Sequence, residues 1–293
     1  MPAPHCFRSF PMPIPRRALA NDLEALLRTA PERRQVLRWL LAGASAPLAA
    51  CGGGAEVSIG GVGSSTGAGS SDTSSAVSSC TIIPEETAGP YPGDGSNYNS
   101  NGIANALSLS GIVRSDIRSS VGGATGTAAG IPLTLTLQLV NTAGNCANLA
   151  GYAIYLWHCT RDGLYSMYST GVTGENFLRG VQQTDSNGKV TFLTIFPGCY
   201  AGRMPHMHFE VYPSLASATG AANKVKTSQI AFPTATCNEV YATSGYGNSA
   251  INLAAISFAS DNVFSDGTEQ QMASISGTTT NGYSASLVVG ISA

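Results

Sequence analysis

Residues 131–140, Ile131-Pro132-Leu133-Thr134-Leu135-Thr136-Leu137-Gln138-Leu139-Val140, place a leucine at every second position with threonine or glutamine between. Successive strand side chains point to opposite faces, so this run buries one face and leaves the other to polar surroundings. As a helix it would scatter the same leucines around the circumference. Further β-prone runs occupy 152–157, 181–184, 189–196, 206–212, 228–232 and 283–289, punctuated by Gly, Pro and Asn. Helical periodicity is weak outside a short stretch around residues 23–27. Asp185-Ser186-Asn187-Gly188 separates two of the β runs, and Asn-Gly supplies the positive φ angles of a tight turn, which predicts a hairpin there. The Ser/Asn/Gly-rich segments 97–110 and 241–278 are expected to be loops. The fold class expected for residues 80–293 is all-β, an antiparallel β-sandwich with long loops.

What precedes that domain reads as an address and a tether. Arg33-Arg34-Gln35-Val36-Leu37-Arg38 comes before a short, mostly apolar stretch at 39–50, which is too short for a membrane span. The paired arginines resemble a twin-arginine signal, and Leu48-Ala49-Ala50-Cys51 followed by glycines resembles a bacterial lipobox. Residues 1–51 are therefore expected to be a signal peptide whose end is lipidated at Cys51. That places the mature chain in the bacterial cell envelope, with a lipid as its sole membrane contact. Residues 52–79 are Gly/Ser-rich and cannot bury enough apolar surface to offset their ordering entropy, so they read as a flexible linker.

Charge and cysteine usage narrow the function. Charged residues make up 11% of the chain and the net charge is −2. No basic stripe is available, which argues against a nucleic-acid partner. Of seven cysteines, Cys6 and Cys51 belong to the leader, leaving Cys80, Cys146, Cys159, Cys199 and Cys237. Five is odd, so an oxidising compartment leaves at least one thiol unpaired; two disulfides and one free thiol are expected.

The chemistry concentrates in Arg203-Met204-Pro205-His206-Met207-His208-Phe209. On a strand, residues two apart share a face, so His206 and His208 present both imidazoles to one side. Alone, such a pair is compatible with a metal site or with two histidines packed on a strand. Phe196-Pro197-Gly198-Cys199-Tyr200 leads into it, and Trp157-His158-Cys159-Thr160-Arg161-Asp162-Gly163-Leu164-Tyr165 lies about forty residues upstream.

With Thr87-Ala88-Gly89-Pro90-Tyr91-Pro92, Leu178-Arg179-Gly180 and Thr184-Asp185, these motifs resemble the intradiol ring-cleavage dioxygenases, the family of protocatechuate 3,4-dioxygenase and catechol 1,2-dioxygenase. The resemblance implies a single non-haem Fe(III) held by Tyr165, Tyr200, His206 and His208. Phenolates are hard anionic donors that favour Fe(III) over Fe(II). It further implies a catechol-type substrate and O2, with Tyr200 yielding its place on the metal to the substrate. Arg203 would stabilise charge developing on the ring, and Gln229 would lie near the substrate. His158 has no counterpart among the ligands and is assigned a structural role; Asp116 and Asp185 are assigned to turns. Cys199 stands where relatives carry a bulkier residue, so the pocket wall differs. The alternative function is an inert sandwich that serves as a binding module.

Overall fold

The computed structural model describes residues 80–293; the expected signal peptide, the lipidated Cys51 and the linker lie outside the described residues. The leucine run forms β3 (Pro132–Asn141), with Leu133, Leu135, Leu137 and Leu139 buried and the residues between them partly exposed. Each such leucine contributes roughly 1.5–3 kcal/mol on burial, so this one strand face outweighs any single surface ion pair. β3 lies between β7 (Lys189–Ile195) and β11 (Gly282–Ile291), with β10 (Ser274–Thr278) outside β11 and β4 (Ala147–Asn148) on its final residues. The second sheet runs in the order β6 (Arg179–Gln183), β5 (Ala153–Trp157), β8 (His206–Tyr212), β9 (Lys226–Ala231). β1 (Asp94–Asn99) and β2 (Gly102–Asn105) form a separate antiparallel pair.

The core lies between the two large sheets. It joins the β3 leucines, Val190 and Phe192 of β7 and Leu287 and Val289 of β11 to Ile154, Leu156, Met207, Phe209, Val211 and Ile230 of the other sheet. The outer face of that second sheet is covered as well. Tyr155, Trp157, Val181 and Tyr212 pack there against Ala106, Leu107 and Ile112. Every residue of β5 and of β8 is consequently buried.

Four expectations require correction. The sandwich is antiparallel except at its centre, where β11 runs parallel to β3 from Tyr283↔Leu133 to Ile291↔Asn141. Alternation reports which face a residue occupies and carries no information on strand direction. The Asp185–Gly188 turn is tight, with Asp185 N–H donating to Lys189 O, but its flanking strands do not pair as a hairpin. β6 joins β5 while β7 joins β3, so the turn carries the chain from one sheet to the other. Gly188 is required twice there: its φ is +70°, and a Cβ would sit 2.4 Å from Leu139 O. The segments expected as loops hold the end of β1, all of β2, a short helix, α2 (Gly247–Ala254), and β10, and another short helix that was not expected, α1 (Thr234–Tyr241), runs up to the second of them. Small polar residues hide these elements because tertiary packing, through Cys237, Val240, Tyr246 and Leu253 against the core, stabilises them more than local propensity does.

The cysteines are the fourth correction. Cys80 and Cys146 form one disulfide, and Cys159, Cys199 and Cys237 are buried free thiols. The bridge ties the start of the domain to the far end of β3, where Ile83 N–H also donates to Gly290 O of β11. It spans 66 residues of sequence, which on the chain-entropy account corresponds to about 4 kcal/mol. Cys146→Ser is expected to lower the unfolding free energy by about 2–4 kcal/mol. Urea titration with and without reductant checks this: the variant and the reduced protein should share one midpoint.

Candidate metal centre

His206 and His208 lie on the outer face of β8, because Met207, Phe209 and Val211 take the alternate positions in the sandwich core. Both imidazoles are buried, and their Nε2 atoms are 3.1 Å apart. His206 Nδ1 lies 2.6 Å from Met204 O; a carbonyl can only accept, so Nδ1 carries the proton and the Nε2 lone pair faces the site. Trp157, in register with His208 across β5 and β8, stacks on its ring at 5.0 Å and 5° and fixes its plane. His208 Nδ1 is buried without a hydrogen bond.

Two loops bring the tyrosines. Tyr200 follows β7, and its hydroxyl is 3.1 Å from His206 Nε2. The loop before it is gripped by the α1–α2 region. Tyr241 Oη donates to Pro197 O, Tyr246 Oη to Phe196 O and Asn252 Nδ2 to Cys199 O, while Ser249 Oγ accepts from Cys199 N–H. Tyr165 comes from the loop after β5, with its ring 5.9 Å from Tyr200 and 6.2 Å from His208. The two loops touch, since Gly198 N–H donates to Thr160 O and a Cβ on Gly198 would lie 2.5 Å from Arg161 O. That contact explains Gly198 before Tyr200 in steric terms.

The four residues singled out as ligands thus stand together, and the donor set suits a hard cation. Tyr165 Oη is buried with no hydrogen-bond partner, which is costly unless something outside the protein satisfies it. Among the described residues no three His, Cys, Asp or Glu side chains gather as a metal site; the donors here are two imidazoles and two phenols. Burial pushes Tyr200 up to about 12 and Tyr165 well above the usual phenol range, and it holds His206 and His208 well below the usual imidazole range. Without a cation all four are neutral. A trivalent ion would reverse the balance at the phenols by stabilising their anions.

Arg203 lines the same small cavity, of about 20 Å³, together with Trp157, Tyr165, Tyr200, His208 and the segment Ala88, Gly89, Pro90 and Tyr91. Its Nη2 donates to Gln229 Oε1 at 2.6 Å and its Nε pairs with Asp261 at 3.0 Å. Gln229 reaches the site through Arg203 and does not line the cavity; its Nε2 donates to Thr87 O. The cavity has room for about one water, so it does not admit an aromatic ring unless a lining group moves.

Sequence reasoning missed the supports. Arg179 is 1% exposed and commits all its nitrogens: Nε to Ser166 Oγ, Nη1 to Pro92 O and Tyr155 Oη, Nη2 to Tyr91 O and Ser166 O. It clamps the cavity wall at Tyr91 to the loop carrying Tyr165. Its place in Leu178-Arg179-Gly180 was visible, whereas its burial was not. Asp261 lies in a segment expected to be loop and offered no signal. His158 faces away from the donors; its Nδ1 donates to Cys159 O at 2.8 Å and its Nε2 accepts from Thr194 Oγ1 at 2.7 Å. Asp116 pairs with Arg118, and Asp185 accepts from the N–H groups of Asn187 and Lys189 in its turn.

Residues 115–221 match the family model described as Dioxygenase, a span that contains Tyr165, Tyr200, Arg203, His206 and His208. The fold is similar to an intradiol ring-cleavage dioxygenase from Tetranychus urticae at 26% identity and TM-score 0.55, covering 72% of this chain and 95% of that one. A second dioxygenase crystal structure is 26% identical with TM-score 0.56, covering 72% of this chain and 94% of that one. No curated protein sequence matches. The described domain is thus similar in sequence and fold to an intradiol ring-cleavage dioxygenase.

Burial pushes the His158 pKa down to about 4 from 6.5. The unfolded chain therefore binds the proton first, and stability is lost as pH falls from about 6.5 towards 4. At the lower end His158 alone accounts for about 3 kcal/mol. Burial pushes the carboxyls of Glu86 and Glu210 up to about 7, which adds stability as pH falls over the same range. The check is therefore a comparison: between pH 7 and 4 the iron-free wild type should lose more urea stability than His158→Gln. Equal pH dependence in the two would contradict a neutral buried His158.

Proposed function

We propose that the domain is a non-haem Fe(III) dioxygenase. It cleaves the aromatic ring of a catechol-type substrate between its two hydroxylated carbons with O2, giving a muconate-type diacid. The observation that carries this reading is the gathering of two phenol oxygens, one without any partner, and two imidazole nitrogens beside a part-buried guanidinium. Kinship with the intradiol dioxygenases supports it. Tyr165, Tyr200, His206 and His208 would hold the ion. When bound, the iron supplies Lewis acidity towards the catechol oxygens.

The chain's own residues then have definite tasks. Tyr200, only part-buried and on a loop, is the ligand free to leave, and its phenolate can take up a substrate proton. Arg203 stabilises negative charge that develops on the ring, its plane held by Gln229 and Asp261. Trp157 and the 88–91 segment exclude water from the small cavity. The Cys80–Cys146 disulfide supports the proposed export to the cell envelope, since such bonds persist in oxidising compartments. Lipid attachment at Cys51 completes that proposal.

Purified protein given a ferric salt is expected to turn red through phenolate-to-iron charge transfer and to consume O2 with catechols. Tyr165→Phe should abolish or shift the band, and Arg203→Met should keep the colour while kcat falls about 10²–10³-fold. A wild-type protein that stays colourless and iron-free would defeat the reading and favour the inert binding module.

A further inference from the structure

Asp261 lies between α2 and β10 and is fully buried. Its Oδ1 accepts from the backbone N–H groups of Val263 at 2.8 Å and Phe264 at 3.1 Å. Its Oδ2 accepts from the backbone N–H of Met204 at 2.6 Å and from Arg203 Nε at 3.0 Å. These donors, with the paired cation, offset the cost of burying a carboxylate.

Two of the partners stand at the entrance to β8, and each governs a group in the site. Arg203 has Nε on Asp261 and Nη2 on Gln229, so the planar guanidinium is fixed along two edges. Among the described residues its Nη1 makes no hydrogen bond, and the side chain lines the cavity. Met204 is held at its N–H by Asp261, while its carbonyl accepts the His206 Nδ1 proton at 2.6 Å. One carboxylate therefore anchors both the guanidinium and the carbonyl that selects the His206 tautomer.

We propose that Asp261 is a positioning residue for this centre. It sets the plane of Arg203 and, through Met204, keeps His206 in the Nδ1-protonated form that offers its Nε2 lone pair to a metal. The catalytic half of this inference rests on the ferric dioxygenase reading, whereas the tautomer half holds for the iron-free protein. A carboxylate that merely stabilised the fold would lower the unfolding midpoint when removed and leave tautomer, iron affinity and coupling to Arg203 untouched.

The test uses Asp261→Asn, with Asp261→Glu as a variant that keeps the charge and displaces the carboxylate. The chain has only four histidines, so ¹⁵N-histidine NMR resolves their tautomers. In iron-free wild type His206 should be Nδ1-protonated. In Asp261→Asn it should become a tautomer mixture while His158, bonded at both nitrogens, stays unchanged. Ferric affinity should fall about 10- to 100-fold. With a catechol and saturating iron, kcat should fall about 100-fold with KM little changed, and Arg203→Met/Asp261→Asn should lose clearly less than the product of the two single losses. If Asp261→Asn does not fold, Asp261→Glu is read on the same measurements. Unchanged His206 tautomer and iron affinity in a folded variant, or rate losses that multiply independently of Arg203→Met, would overturn the proposal. Loss of the fold in both variants while Arg203→Met folds would overturn it too. A wild type that takes up no iron defeats the dioxygenase reading alone, because the tautomer comparison is made without metal.

Discussion

Everything at the candidate centre depends on β8 being buried on both faces. Met207, Phe209 and Val211 lock the strand into the sandwich core, and the opposite face is sealed by a layer of loops. A strand held in this way has no freedom to rotate or slip, because a one-residue shift would drive imidazoles into the core and apolar groups into the site. Hydrophobic packing on one side thus fixes the positions of two polar rings on the other. The same double burial removes water, which makes all four donors neutral when no cation is present and leaves Tyr165 Oη without a partner.

The tyrosines arrive differently. They sit on loops, and loops are positioned by hydrogen bonds and steric contact where strands are positioned by ladders. Arg179 holds the loop of Tyr165 to the segment that walls the cavity. The α1–α2 region holds the loop of Tyr200 through three hydroxyl groups and one amide. Two donors therefore come from the sheet and two from loops, and of the loop pair only Tyr200 is part-buried. That division suits the proposed centre, in which Tyr200 is the ligand that leaves.

Much of the fold was legible because it rests on period-two patterning. The β3 leucines, the apolar run of β5 and the shared face of His206 and His208 follow directly from strand geometry. The hairpin expected at Asp185–Gly188 failed for an instructive reason. Asn-Gly chemistry specifies a tight turn, but which sheet receives the next strand is settled by distant partners, here β3 for β7 and β5 for β6. The helices after β9 were missed because their sequences, with Thr, Asn, Ser and Gly at many positions, carry little local preference and form where the core accepts Val240, Tyr241 and Leu253. Pairing among the cysteines was likewise undetermined by spacing; three thiols are buried without a disulfide partner among the described residues.

The sequence by itself determined the strand faces, the pair of histidines on one of them and the motifs that carry Tyr165, Tyr200 and Arg203, because these depend on local geometry and residue type. Only the tertiary structure decided that these five converge, that the central β3–β11 pair is parallel, and that Trp157, Arg179 and Asp261 hold the centre in place. The physical reason is the same in each case. Convergence, strand direction and support are properties of long-range contacts, and a carboxylate such as Asp261 reads as an ordinary turn residue until the fold brings it to within 3.0 Å of a guanidinium 58 residues away.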